Sequence, residues 1–341
     1  MINTVYRLSE ARKLEVSFED IEMFGENAVV RPTYLSICNA DMRYYLGTRN
    51  AKVMAEKLPM VLIHEGVGEV VIDPTNTFKS GDSVVMVPNI PNEENDVIAE
   101  NYLRSSKFCG SSANGFLQEY VSISPKRLVL LPQNINMNVA AFTEIVSVAV
   151  HAIDRFDKTA HAIRRRIGVW GDGNLGYIVS LLIKKFYPET EVYILGTSYD
   201  KLAYFTFADG VFPINEISKD FWIDHAFECV GGNGSSVAIE QIIDTVLPEA
   251  TISILGVSEY PIPINTRLIL EKGLHFFGSS RSGVADFIKT VELYKKHPEI
   301  IDYLEIIVSS VNPVSTINDI RAVFEKDAQK AFGKTILKWE V

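Results

Sequence analysis

The rhythm of apolar and polar positions changes once along the chain, near Ala140. Before that point apolar residues come in short runs broken by turn formers: 28–32, 66–72 (GVGEVVI) and 83–87, the last preceded by a Gly81-Asp82 turn. Many short strands punctuated by Gly and Pro predict a β-rich domain of the partly closed barrel kind. Residues 89–114 are polar and irregular and read as a surface lobe. From 141 to 156 (AFTEIVSVAVHAIDRF) the spacing is helical, without Gly or Pro. Strand-like runs at 167–170, 192–196, 210–214, 225–230, 251–257 and 274–278 then alternate with helical ones, the first opening at Leu175. That alternation predicts an α/β fold with a doubly wound parallel sheet. A helix at 317–326 and a strand at 333–339 (GKTILKW) close the chain, and periodicity leaves open which domain they complete.

Composition narrows the class. A length of 341 residues favours two domains, and 47% hydrophobic with 22% charged residues is ordinary for a soluble protein. The net charge of -10 excludes a general nucleic-acid or anionic-membrane binder, which needs a basic stripe. No apolar run reaches membrane-spanning length and the first residues lack the core of a signal peptide, so a cytoplasmic protein is expected. Cys38, Cys109 and Cys229 cannot all pair and none lies in a CxxC motif, which fits reduced thiols.

Residues 171–176 (GDGNLG) match the GxGxxG pattern, with Gly171, Gly173, Asn174, Leu175 and Gly176 as candidate cofactor contacts. The pattern alone is weak, but here it follows the strand IGVW and opens an apolar helix, the context a dinucleotide fingerprint requires. The glycines allow a tight turn and close phosphate approach, and the helix N-terminus adds free N–H groups. NAD enzymes usually hold the ribose with an acid about 20 residues further on. The second strand instead ends in Gly196, Thr197 and Ser198, with Lys201 beyond, and Glu191 lies at its opposite end. With no acid at the strand end to repel a 2′-phosphate, and with Thr197, Ser198 and Lys201 able to donate to one, NADPH is expected, Asp200 counting against it if it points inward. An Asp in place of Gly196 is expected to reverse or erase that preference by repelling the 2′-phosphate.

Potential metal ligands come from three separated stretches: Cys38 in SICNAD, His64 and Glu65 in IHEGVGEV, and Glu144 in FTEIV. Each has an ordinary explanation taken singly, as a small core residue, a satisfied histidine or a first-turn carboxylate. Their spacing is too dispersed for a local zinc knuckle.

Taken in order, these motifs resemble those of the zinc-containing medium-chain alcohol and polyol dehydrogenases, over the whole chain. Cys38 with Asp41, His64-Glu65-Gly66 with Gly68, Glu144 and the GxGxxG run fall in that family's sequence. The resemblance implies a GroES-like catalytic domain at 1–150, completed by 300–341, and a Rossmann NADP-binding domain at 151–299. It also implies one catalytic zinc on Cys38, His64 and Glu144, with Glu65 as a movable ligand or outer partner. The family's structural zinc needs four cysteines in the lobe, and only Cys109 is there, so none is expected. Many members carry Ser or Thr two residues after the cysteine to relay a proton; this chain has Ala40. A bound water, Glu65, Tyr44 or Tyr45 must then serve. Family members commonly dimerise through the last sheet strand, here 274–278 with Phe276 and Phe277.

The phrases SICNADMRYYLGTR, LPMVLIHEGVGEVV, WGDGNLGY and FECVGG are similar to those of one group within the family. These are the NADPH-dependent ribulose-5-phosphate reductases of bacterial teichoic-acid and capsule synthesis. That resemblance implies reduction of D-ribulose 5-phosphate to D-ribitol 5-phosphate, serving a ribitol-5-phosphate cytidylyltransferase that makes CDP-ribitol. The substrate phosphate calls for arginine, and Arg43, Arg49 and Arg281 are the candidates. A zinc dehydrogenase of another polyol or sugar is the first alternative, and a zinc-free NADPH-binding protein the second.

Overall fold

Of the expected N-terminal strands, the one at 28–32 runs four residues longer than its apolar pattern promised, while those at 66–72 and 83–87 match to within a residue. Strand Ala28–Ser36 continues through Pro32, whose missing N–H is accommodated by a register shift between Pro32 and Tyr34 against Glu65–Ile72. In the computed structural model, which describes residues 1–341, this strand lies within a seven-stranded sheet. Its path runs Leu128–Leu130, Ser83–Met86, Glu65–Ile72, Ala28–Ser36, Lys334–Trp339, Val308–Val314, with Val121–Ile123 also paired to Ala28–Ser36. The final strand therefore inserts beside one of the first, antiparallel, with Ile336 opposite Ser36. A three-stranded sheet of Lys13–Asp20, Ile2–Glu10 and Met60–Val61 adds a hairpin that the sequence pattern had not singled out. Between them lies a core that includes Leu8, Leu35, Phe116, Phe324 and Leu337.

The chain divides into two units, Met1–Ser147 with Arg281–Val341, and Val148–Ser280. Helix Val284–Lys296 belongs to the first because Phe287 and Val291 pack with Val67, Val85 and Val129. The lobe at 89–114 holds only the two-residue strands Asn89–Ile90 and Lys107–Phe108 and a 3-10 turn at Glu100–Tyr102. Glu100 ties it down by accepting from Arg127 (2.6 Å) and from the Val284 N–H (2.8 Å).

The second unit is the expected doubly wound sheet. Its six strands are all parallel, in the order Gly210–Pro213, Glu191–Gly196, Arg166–Trp170, His225–Glu228, Thr251–Ile254, His275–Gly278. In strand number this is 3-2-1-4-5-6, so the order reverses at the first strand, where dinucleotides bind in such folds. Helices Asn174–Phe186 and Ser235–Thr245 cover the sheet, and Trp170, Ile223, Ile239, Ile242 and Ile252 fill one face. No helix is long and apolar enough to cross a membrane.

Candidate metal centre and nucleotide site

Cys38 precedes the short helix Asn39–Tyr45, and His64 precedes strand Glu65–Ile72. One buried carboxylate positions both. Asp41 Oδ2 accepts from the Cys38 N–H (3.0 Å), Oδ1 accepts from the Ile63 N–H (2.9 Å), and Oδ1 also lies 3.4 Å from His64 Nδ1. Ile63 has a φ of 68°, costly for a β-branched residue, and so delivers His64 from a strained link that the surroundings enforce. The result brings one ligand atom each of Cys38, His64 and Glu65 within 4.8 Å of one another. Phe108 flanks the imidazole with its ring centroid 5.3 Å away.

Glu65 is fully buried and so is Lys334, at the start of the final strand. Lys334 Nζ donates to Glu65 Oε1 (2.9 Å) and to the Ile37 carbonyl (3.0 Å). Oε2 lies 2.7 Å from Nζ but off hydrogen-bond geometry, so that contact is ionic only. Glu144, in the first turn of helix Thr143–Thr159, stands outside the tight trio yet within electrostatic reach of it. Burial pushes its carboxyl up to about 7; His64 and Lys334 pull it down, Glu65 and Asp41 push it up. Burial also works against a charged His64, but Asp41 and Cys38 outweigh it and hold the imidazole pKa well above its usual range.

The donor set suits zinc: a thiol sulfur, an imidazole nitrogen whose Nδ1 faces a carboxylate, and carboxylate oxygens, all at least partly buried. Tyr45 is engaged elsewhere, its hydroxyl donating to Glu325 at 2.9 Å and its ring against Phe324. Of the three arginines, Arg281 lies 4.7 Å over the Phe108 ring and Arg49 5.0 Å over the Tyr44 ring. Arg281 is half-buried at a φ of 59°, and burial lowers its pKa while Glu144 and Tyr44 oppose that. Arg43 sits in the last turn of helix Asn39–Tyr45, its carbonyl accepting from Thr48.

In the second unit the glycine run links strand Arg166–Trp170 to helix Asn174–Phe186 as expected. A Cβ on Gly176 would lie 1.9 Å from the Gly171 carbonyl oxygen, so helix and turn approach too closely for any side chain. A Cβ on Gly173 would meet nothing within 4 Å, and no side chain caps the helix that begins there. Open space before the N-terminus of this helix, at Asn174 and Leu175, is what a pyrophosphate requires. Thr197 and Ser198 follow strand Glu191–Gly196, and Lys201 lies one turn later. Glu191 is at the far end, paired with Arg166 at 2.9 Å.

Three functional residues escaped the sequence reading, and a fourth was named without its role. Asp41 was visible only as part of a motif, and Lys334 meets Glu65 across 269 residues. Glu228, fully buried, gathers the Val230 and Gly231 N–H groups, Ser235 Oγ and the Gly256 N–H, each at 2.9 or 3.0 Å, at the carboxyl ends of two strands. Asp172 reaches the end of strand Glu191–Gly196 from the glycine turn. There a Cβ on Gly196 would come within 2.6 Å of the Asp172 Cβ, so an Asp at 196 has no room to act as expected.

Residues 25–133 match the model of the alcohol dehydrogenase GroES-like domain. The chain is 54% identical over 341 residues to a ribulose-5-phosphate reductase of Bacillus spizizenii, covering 100% of both chains. It is 50% identical over 339 residues to ribulose-5-phosphate reductase 1 of Staphylococcus aureus, covering 99% of each. The crystal structure of S. aureus TarJ in complex with NADPH superposes with a TM-score of 0.90 at 45% identity, covering 100% of both.

Proposed function

This chain belongs to the zinc-type medium-chain alcohol dehydrogenase family, and from that premise we infer that it is an oxidoreductase reducing D-ribulose 5-phosphate to D-ribitol 5-phosphate with NADPH. The chemistry is supported by the meeting of Cys38, His64 and Glu65 ligand atoms around one point, with the buried Glu144 close enough to feel their charges. The substrate rests on identity to the reductases along the full length.

When bound, zinc supplies a Lewis acid for the C2 carbonyl oxygen and NADPH supplies the hydride. Cys38, His64 and Glu144 are the residues proposed to hold the metal, with Glu65 as the outer partner that can turn toward it. Charge supports this division. A Cys38 thiolate and a Glu144 carboxylate balance a dication, while the Glu65 carboxylate is already offset by Lys334. Asp41 holds the His64 imidazole by Nδ1, leaving Nε2 as the ligand atom. Ala40 has no hydroxyl and Tyr45 is committed to Glu325, so the proton for the product oxygen comes from solvent water, Glu65 or Tyr44. In the second unit Gly171, Gly173, Asn174, Leu175 and Gly176 receive the pyrophosphate, and Thr197, Ser198 and Lys201 the 2′-phosphate.

Arg281 is the first candidate for the substrate phosphate, with Arg49 and Arg43 after it. Its guanidinium rests on the ring that flanks His64 and feels the Glu144 charge. The product would feed a ribitol-5-phosphate cytidylyltransferase in the cytoplasm, for CDP-ribitol and teichoic-acid synthesis. Strand His275–Gly278 is an open edge of its sheet, with Phe276 and Phe277 only partly covered, and we expect a homodimer there.

The test is NADPH oxidation with a panel of ketoses and their phosphates. Ribulose 5-phosphate should be the preferred substrate by a wide margin over free ribulose. Equal rates on both would overturn the substrate, and no rate on any would return the chain to NADPH binding without catalysis.

A further inference from the structure

The end of strand Glu191–Gly196 is where a dinucleotide fold meets the adenosine ribose, and a carboxylate is there after all. It comes from Asp172, the second residue of the glycine run, and not from the strand itself. Asp172 Oδ2 accepts from the Thr197 N–H (2.7 Å) and the Ser198 N–H (2.9 Å), and more loosely from Thr197 Oγ1 (3.3 Å). Gly196 leaves the space for it: a Cβ there would lie 2.6 Å from the Asp172 Cβ and 2.7 Å from Oδ2. Ser198 Oγ in turn accepts from the Lys201 N–H at 3.4 Å. One side chain thus fixes the turn that carries Thr197, Ser198 and Lys201.

Building on the NADPH reading above, we propose that Asp172 is a positioning residue that braces this turn so that its hydroxyls and Lys201 meet the 2′-phosphate, and so sets the preference for NADPH over NADH. The brace occupies the two backbone N–H groups, so discrimination falls to the Thr197 and Ser198 hydroxyls and the Lys201 ammonium. The Thr197 hydroxyl bond to Asp172, at 3.3 Å, is long enough to yield to a phosphate oxygen. The carboxylate points its hydrogen-bonded oxygen into the turn, where the N–H groups compensate its charge.

Calorimetric titration with 2′,5′-ADP and with 5′-AMP, which differ only in the 2′-phosphate, separates this role from general structure. The wild type should bind 2′,5′-ADP far more tightly; if it binds the two alike, the NADPH reading fails and the brace with it. Asp172→Ala should weaken 2′,5′-ADP by about tenfold or more, the scale of a lost charge-assisted bond, while changing 5′-AMP by less than about threefold. Asp172→Asn should recover most of the loss, because its amide oxygen can accept both N–H groups. With wild-type discrimination intact, equal weakening of both ligands by Asp172→Ala would overturn the brace alone. So would tighter 2′,5′-ADP binding in that variant, which would mark the carboxylate as a repulsive neighbour, or an Asn variant as weak as the Ala variant.

Discussion

Replacing Lys334 by Met tests whether the Glu65 carboxylate depends on its buried partner. Both residues are 1% exposed or less, and Nζ contacts both Glu65 oxygens and the Ile37 carbonyl. Met keeps most of the volume, so the variant leaves little cavity but takes away the ammonium that contacts the carboxylate. Breaking one side of a buried ion pair costs about 3–5 kcal/mol, and the unpaired Ile37 carbonyl adds about 1 kcal/mol. That is a large part of a typical stability of about 5–15 kcal/mol. Urea unfolding of the metal-depleted protein, followed by fluorescence, should show the midpoint fall accordingly. Adding Glu65→Gln to the Met variant removes the carboxylate charge and should restore most of the loss. A single variant within about 1 kcal/mol of wild type, or a double variant no better than the single, would refute the pairing argument.

Purified protein should carry about one zinc per chain, and Cys38→Ser should lose metal and activity while still binding 2′,5′-ADP; two zincs, or activity that survives chelation, would contradict the ligand assignment. Arg281→Ala should lose activity on ribulose 5-phosphate far more than on free ribulose, in kcat as well as KM, since remote binding energy also positions the carbonyl; unchanged discrimination would move the phosphate pocket elsewhere. His225 is buried with Nδ1 accepting from the Thr251 N–H at 3.0 Å, and burial, reinforced by His161, drives its pKa from 6.5 to about 4. The unfolded chain therefore binds the extra proton first, and stability is lost as pH falls from about 6.5 toward 4. This group should make the wild type about 2 kcal/mol less stable at about pH 5 than at about pH 7, and a His225→Gln variant should show a flatter profile in unfolding experiments.

Local pattern carried the order of elements. Alternation of strands and helices after 160 announced the parallel sheet, because each buried strand and amphipathic helix must show its own period wherever it finally packs. The GDGNLG turn was legible for the same reason: its glycines answer contacts made within one strand–turn–helix unit. Cys38, His64 and Glu65 could be named from motifs, but not their convergence, which depends on Asp41 and on the strained Ile63. Tertiary structure alone decided that the last strand brings Lys334 against Glu65, because a contact across 269 residues leaves no trace in local periodicity. It alone decided too that the carboxylate missing from position 196 is supplied by Asp172, since neighbouring parallel strands share space that sequence distance does not measure.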